Sequence, residues 1–199
     1  MSREANSRSR SSDCSSGGSE GESSPCAVAV VPDGYRTRPA EPIRRIGVGV
    51  DGSAESQAAL AAGAELARAL GARLDVIGVC CADAYAAPAL LGGPGYDTLR
   101  EDIERRQKES LAAAMASVRA GADAEAVPLA GNPAKRLIER SAQLDLLILG
   151  SHGYGPLHSV LVGGVSGEVV RGAHCPVIAV PRGVEAPLAE LFTATTSAA

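Results

Sequence analysis

The sequence predicts an α/β fold, an open doubly wound five-stranded parallel sheet with helices on both faces. Three observations predict it. From Ile43 to Val180, short apolar runs alternate with longer alanine-rich segments of helical spacing, the pattern of repeated βα units. The runs are near-continuous in Val, Ile and Leu, as strands covered on both faces are. The chain of 199 residues is 45% hydrophobic but 3% aromatic, with no Trp, so its core is built from Ala, Val, Leu and Ile.

The elements follow in chain order. Residues 1–25 are rich in Ser, Gly and charge and read as a disordered tail. Cys26 to Val31 is an isolated β-prone run that ends in Pro32-Asp33-Gly34, and 35–42 is an extended linker. Ile43 to Val50 is the first strand of the domain proper, which spans 43–182. Asp51-Gly52-Ser53 turns out of it, and Ser53 starts a helix to about Leu70, with Ala58, Ala62, Leu66 and Ala69 inward and Gly71 as its stop. Arg73 to Cys81 is the second strand, and Ala82 to Asp97 a long Pro- and Gly-bearing connection. Thr98 to Ala120 reads as the longest helix, with Leu99, Ile103, Leu111, Met115 and Val118 inward and a solvated charged face. Asp123 to Leu129 is the third strand, and Asn132-Pro133 caps a helix to about Gln143. Residues 183–199 form a C-terminal tail.

Composition excludes several classes. A net charge of -4 lacks the basic face of general nucleic-acid binders. No apolar run approaches the ~20 residues that cross a bilayer, and the polar start MSREANSRSRSSDCSS carries no secretory signal. The chain therefore reads as cytoplasmic. Its five cysteines match no zinc spacing and read as small core residues of a reduced protein. His158 and His174 have no partner at metal spacing, so no metal ligand is assigned.

The organising stretch is LDLLILGSHGYGPLHSVLVGGVSGEVVRGAHCPVIAVP, Leu144 to Pro181. The strand Leu146 to Leu149 runs into a loop with Gly150, Gly153 and Gly155. Gly163 and Gly164 then open a helix with Val165, Val169 and Val170 on one face, and the strand Val177 to Val180 closes the unit. In such a unit, loop and helix N-terminal amides are available to an anion. Gly150, two residues, Gly153, nine residues and Gly163 resembles the nucleotide-binding signature of the universal stress protein family, in its ATP-binding branch, over roughly Arg44 to Arg182. Gly164 departs from that pattern, which has Ser or Thr there.

In a doubly wound sheet, ligands sit beyond the carboxyl ends of the strands, where strand order reverses. Asp51, Val79 and Gly150 lie at that edge. The resemblance implies an adenine nucleotide alpha hydrolase-like, Rossmann-like fold that binds ATP, or AMP or ADP, alone or with Mg2+. It implies that Asp51 holds the nucleoside and that backbone near Val79 meets the base. The residues themselves leave a second reading of Asp51, an Asx turn capping the first helix. Gly150 and Gly153, which can take positive φ, let main chain approach the ligand. Gly163, Gly164, Val165 and Ser166 offer amides to phosphate, and His152 a side-chain donor. No Gly-Lys-Ser/Thr follows the glycines, and no nucleophile–base pair stands out, so binding is supported and turnover is not. The alternative is a nucleotide-free dimeric regulatory module of the same fold.

SPCAVAVVPDG near the start repeats the form of AHCPVIAVPRG near the end, as if it were the last strand of a preceding copy of the domain. An apolar last strand at a sheet edge invites pairing. The resemblance implies a homodimer through Val177 to Val180, and Cys26 to Val31 is expected antiparallel beside that strand, within one chain or across two.

Overall fold

The computed structural model describes residues 27–35, 41–81, 96–118, 122–151 and 164–181. Six strands and four helices follow one another as β1 (Val28–Val30), β2 (Arg45–Val50), α1 (Ala54–Leu70), β3 (Arg73–Cys80), α2 (Tyr96–Ser117), β4 (Ala124–Ala130), α3 (Pro133–Ser141), β5 (Leu146–Ser151), α4 (Gly164–Gly172) and β6 (Val177–Pro181). They form one sheet in the order β1-β6-β5-β2-β3-β4. Strands β2 to β6 are parallel, as expected, whereas β1 adds an antiparallel sixth strand on the outer edge of β6. The expected count of five thus holds for the parallel part, and the expected pairing of the Cys26–Val31 run with the last strand occurs within the chain.

The chain builds outward from β2 through β3 to β4, then returns to the other side of β2 for β5 and β6. With crossovers of one hand, that reversal moves the helices to the opposite face. Accordingly α1 and Leu111 of α2 pack against Ile46, Val48, Leu74, Val76 and Ile148 on one face. Helices α3 and α4 cover Ile77, Leu147, Leu149 and Val177 on the other.

The caps explain where helices begin and stop. Ser53 Oγ accepts from the Ser56 amide at 3.1 Å, and Asn132 Oδ1 from the Lys135 amide at 3.0 Å, with Pro133 in the first turn. Gly71 ends α1 at φ 62°, where a Cβ would be strained. Several expected burials differ. The buried stripe of α1 is Ala59, Ala62, Gly63, Leu66 and Ala67, so Ala69 is exposed and Ala58 only half-buried. A helix made largely of alanine carries little contrast by which to set its phase. Leu99 is 50% exposed near the start of α2, and Val165 is 43% exposed at the start of α4, where Val169 alone of the three valines is fully buried. The charged half of α2 is a solvated face, with Arg100–Glu104, Arg105–Asp102 and Arg105–Glu109 pairs along it.

At the amino ends of the strands, carboxylates lock the sheet. Asp145 Oδ2 accepts from the Arg44 and Arg45 amides at 2.8 and 2.9 Å, joining β2 to the approach of β5. Asp75, fully buried in β3, accepts from Arg45 Nε at 3.0 Å and Arg140 Nη2 at 2.7 Å. A buried charge persists only with such partners.

At the carboxyl ends the constraint is steric. Gly150 lies within β5, one residue short of its end, rather than terminating it, and its φ is not positive. A Cβ there would stand 2.5 Å from the Glu55 carbonyl carbon and 2.6 Å from the Ser56 nitrogen. Gly150 is therefore what lets the first turn of α1 lie on β5.

Two outcomes follow from this packing. Gly150→Ala is expected to destabilise the fold by ~2–4 kcal/mol because backbone must move, seen as a fall of about 5–10 °C in Tm by calorimetry. Gly164→Ala, where a Cβ meets no atom of a described residue within 4 Å, is expected to leave Tm unchanged or higher. Burial, reinforced by the Asp145 charge, pushes the Cys175 thiol up to about 12, while Cys80 and Cys81 are partly exposed. Iodoacetamide at about pH 8 should therefore alkylate Cys80 and Cys81 in the native protein and spare Cys175, as read by peptide mass spectrometry.

Candidate functional site

The reversal of strand order falls between β3 and β5 on either side of β2, and a crevice of about 510 Å³ opens at the carboxyl ends there. Its floor is the end of β2 and β5, Gly49 to Asp51 with Leu149 and Gly150; Val79 and Cys81 at the end of β3 form one wall, and Gly164, Val165 and Ser166 of α4 another. The topology thus brings Asp51, Val79, Gly150, Gly164, Val165 and Ser166 together, although they are spread over more than half the chain. His152, Gly153 and Gly163 lie outside the described residues, as do Gly155 and His158.

Each wall has a local cause. Strand β2 ends at Val50, and Asp51 Oδ1 accepts from the Ser53 amide at 3.0 Å and the Ser53 hydroxyl at 2.6 Å. This is the Asx turn that the residues themselves allow, and it fixes the N-cap of α1. Asp51 therefore has a structural task, which does not take its carboxylate out of the crevice it lines. Ser56 continues the same network: its hydroxyl donates to the Ser53 carbonyl at 2.9 Å.

Gly150 lines the crevice at the expected edge and has a packing task as well. Its missing Cβ leaves room for α1, so the first turn of that helix, at Glu55 and Ser56, lies against the end of β5. Gly164, the first residue of α4, instead meets no atom of a described residue within 4 Å of its Cβ position. The amides of a helix's first turn have no acceptor in their own helix, and its dipole is positive there. A phosphate or carboxylate is the natural occupant of that end.

Sequence reasoning singled out neither Ser56 nor Gln107 for the crevice, and met Cys81 only as part of the strand end at that edge. Ser56 was read only as part of a helix start. Gln107 of α2 also lines it, and its signal was present: Ile103, Gln107 and Leu111 share one helical stripe, so a polar side chain in an otherwise apolar row faces the sheet edge. Cys81 follows β3 and points into the crevice rather than into the core. Among the described residues lining this space there is no Lys, Arg or His; Asp51 is the one charged side chain among them, beside the polar side chains of Ser56, Gln107 and Ser166. No cluster of potential metal ligands occurs among the described residues, and no described helix is long and apolar enough to cross a membrane.

Known proteins place this arrangement. The sequence pattern of the Universal stress protein family matches residues 42–181. A universal stress protein of Mycobacterium tuberculosis is 36% identical over 134 residues, covering 65% of this chain and 45% of the relative. The chain thus spans about half the length of the mycobacterial relatives it matches. One from Thermus aquaticus is 34% identical over 134 residues and is covered over 93% of its length. Among solved structures, the universal stress protein UspA from Lactobacillus plantarum superposes with a TM-score of 0.59 at 27% identity, over 71% of this chain and 99% of that one. A family member from Burkholderia pseudomallei does so with a TM-score of 0.56 at 27% identity, over 72% and 99%. With a family pattern spanning the whole described domain and the same fold in its relatives, this chain belongs to the universal stress protein family.

Proposed function

We propose that this chain binds an adenine nucleotide, ATP or its shorter phosphates, alone or with Mg2+, in the crevice beside β2, and that occupancy serves a cytoplasmic stress response. The observation that carries this reading is the convergence of Asp51, the end of β3 and the first turn of α4 on one space of about 510 Å³, within the roughly 300–1,000 Å³ of small-molecule sites. The Gly150-x-x-Gly153-x9-Gly163-Gly164 loop that connects β5 to α4 belongs to the same reading.

The roles divide by chemistry. The α4 amides from Gly164 to Ser166, with Gly163 before them and His152 and Gly153 in the loop, would hold phosphates. Asp51 would accept from ribose hydroxyls or the adenine amino group, and apolar Val79 would lie against the base. Gln107 adds a neutral donor and acceptor. Where the family pattern has a hydroxyl, Gly164 gives only its amide, a loss of ~1 kcal/mol or somewhat more for a charge-assisted bond. The residues fit a nucleotide held by backbone and supply no general base or lysine for phosphoryl transfer among those described.

Isothermal titration with ATP and with AMP tests this: saturable heat below millimolar nucleotide is expected, and none at millimolar concentration with folded protein ends the reading in favour of a nucleotide-free module. Gly164→Ser meets no atom of a described residue near its Cβ and should tighten ATP binding by roughly fivefold to tenfold. Val165→Glu places an anion where phosphate would lie, at an exposed first-turn position that suits the helix dipole. Its Tm should stay put while ATP affinity falls by about tenfold or more.

A further inference from the structure

Gln107 stands where two cavities meet. It lines the crevice together with Val79 and Cys81 at the end of β3. It also lines a second space of about 310 Å³ between α2 and the ends of β3 and β4, with Cys80 and Ala130. Its place has a local cause. A Cβ on Gly78 of β3 would stand 3.0 Å from Gln107 Nε2 and 3.4 Å from Leu111 Cδ1, so the glycine lets α2 lie close over the strand. Leu111, one turn on and buried, anchors the helix at that same glycine. Gln107 itself is half-buried, and its side chain forms no hydrogen bond with another described residue. A primary amide in that position has both a donor and an acceptor to offer a ligand.

We infer that Gln107 selects the base of the nucleotide, accepting from the 6-amino group of adenine and donating to N7 beside it. The inference rests on the nucleotide reading above and assigns its base end. Helix α4 packs on β5 and β6, and α2 on β3 and β4, so the two helices stand on opposite sides of β2. Phosphates held at the first turn of α4 therefore send the nucleoside across the end of β2 toward β3. Asp51, at the end of β2, meets the ribose on the way. The other polar side chains of the crevice suit the base less well. A carboxylate such as Asp51 only accepts, so it cannot serve an amino group and a ring nitrogen together. Ser56 Oγ is spent on the Ser53 carbonyl, and Ser166 belongs to the α4 end. A glutamine amide matches the adjacent donor and acceptor of adenine, whereas a 6-oxo purine presents acceptors at both places.

Isothermal titration of the full chain with ATP and with ITP, which has an oxo group where ATP has its 6-amino group, tests this. The unaltered chain is expected to bind ATP about tenfold more tightly than ITP. Gln107→Met keeps the length and helix propensity of the side chain without its polar atoms. It is expected to leave Tm in place, lower ATP affinity by about tenfold and bring the two affinities level. Gln107→Arg sets paired donors in the same place, which suits O6 and N7, and is expected to invert the preference toward ITP. The ratio is the readout, because an added positive charge raises the affinity of both triphosphates alike. An unaltered chain that binds both equally, a preference that survives Gln107→Met, or a Gln107→Arg chain that still favours ATP overturns the inference and leaves the nucleotide reading standing. A folded, unaltered chain that takes neither nucleotide overturns both.

Discussion

The close approach of α1 to β5 at Gly150 is the constraint on which the rest of the molecule depends. Backbone of Glu55 and Ser56 occupies the place a Cβ would take, so helix and strand meet as nearly as two main chains can. That contact sets the α1 N-terminus at the carboxyl edge of the sheet, with the Asp51–Ser53 turn held by hydrogen bonds of 3.0 and 2.6 Å. The crevice has its position because this corner is packed against backbone.

The two ends of the sheet are held by different physics. At the amino ends, Asp145 and the buried Asp75 bind β2, β3, α3 and the start of β5 through charge-assisted hydrogen bonds. One Asp75 oxygen and Arg140 Nε are nevertheless buried without a hydrogen-bond partner, and such a network is costly to disturb because removing one member leaves a buried charge. At the carboxyl ends the described residues of the crevice form no such clamp between strands: Asp51 is tied into its own turn, and glycines, Ser56, Gln107 and the first turn of α4 line the space. Rigidity at one end and open polar backbone at the other is an arrangement suited to receiving an anion with little reorganisation.

Much of the fold was readable because buried parallel strands announce themselves. Leu146 to Leu149, Val177 to Val180 and Arg73 to Cys80 are apolar runs of strand length between turn residues, and Ser53, Gly71 and Asn132-Pro133 mark helix ends by their own chemistry. Side-chain direction was less readable. The alanines of α1 are alike enough that Ala58 and Ala62 could not be told from Ala59 and Ala62 as the inward row, and Val165 sits on a rim rather than in the core. Asp75 gave no sign that its partners are Arg45 and Arg140, because that contact joins segments far apart in sequence. The candidate site was legible where it follows from topology, at Asp51, Val79 and the α4 start, but not at Gln107, whose relevance depends on how α2 lies over the sheet edge.

The sequence by itself determined the alternation of strands and helices, the helix caps, and the glycine-bearing connection before α4, since each depends on residues a few positions apart and on local backbone preference. Only the tertiary structure decided that Gly150 serves helix packing, that Asp51 is tied into a capping turn, and that β1 pairs with β6 of its own chain. Those outcomes depend on which distant backbone fills the space beside a residue, and local chemistry carries no record of that neighbour.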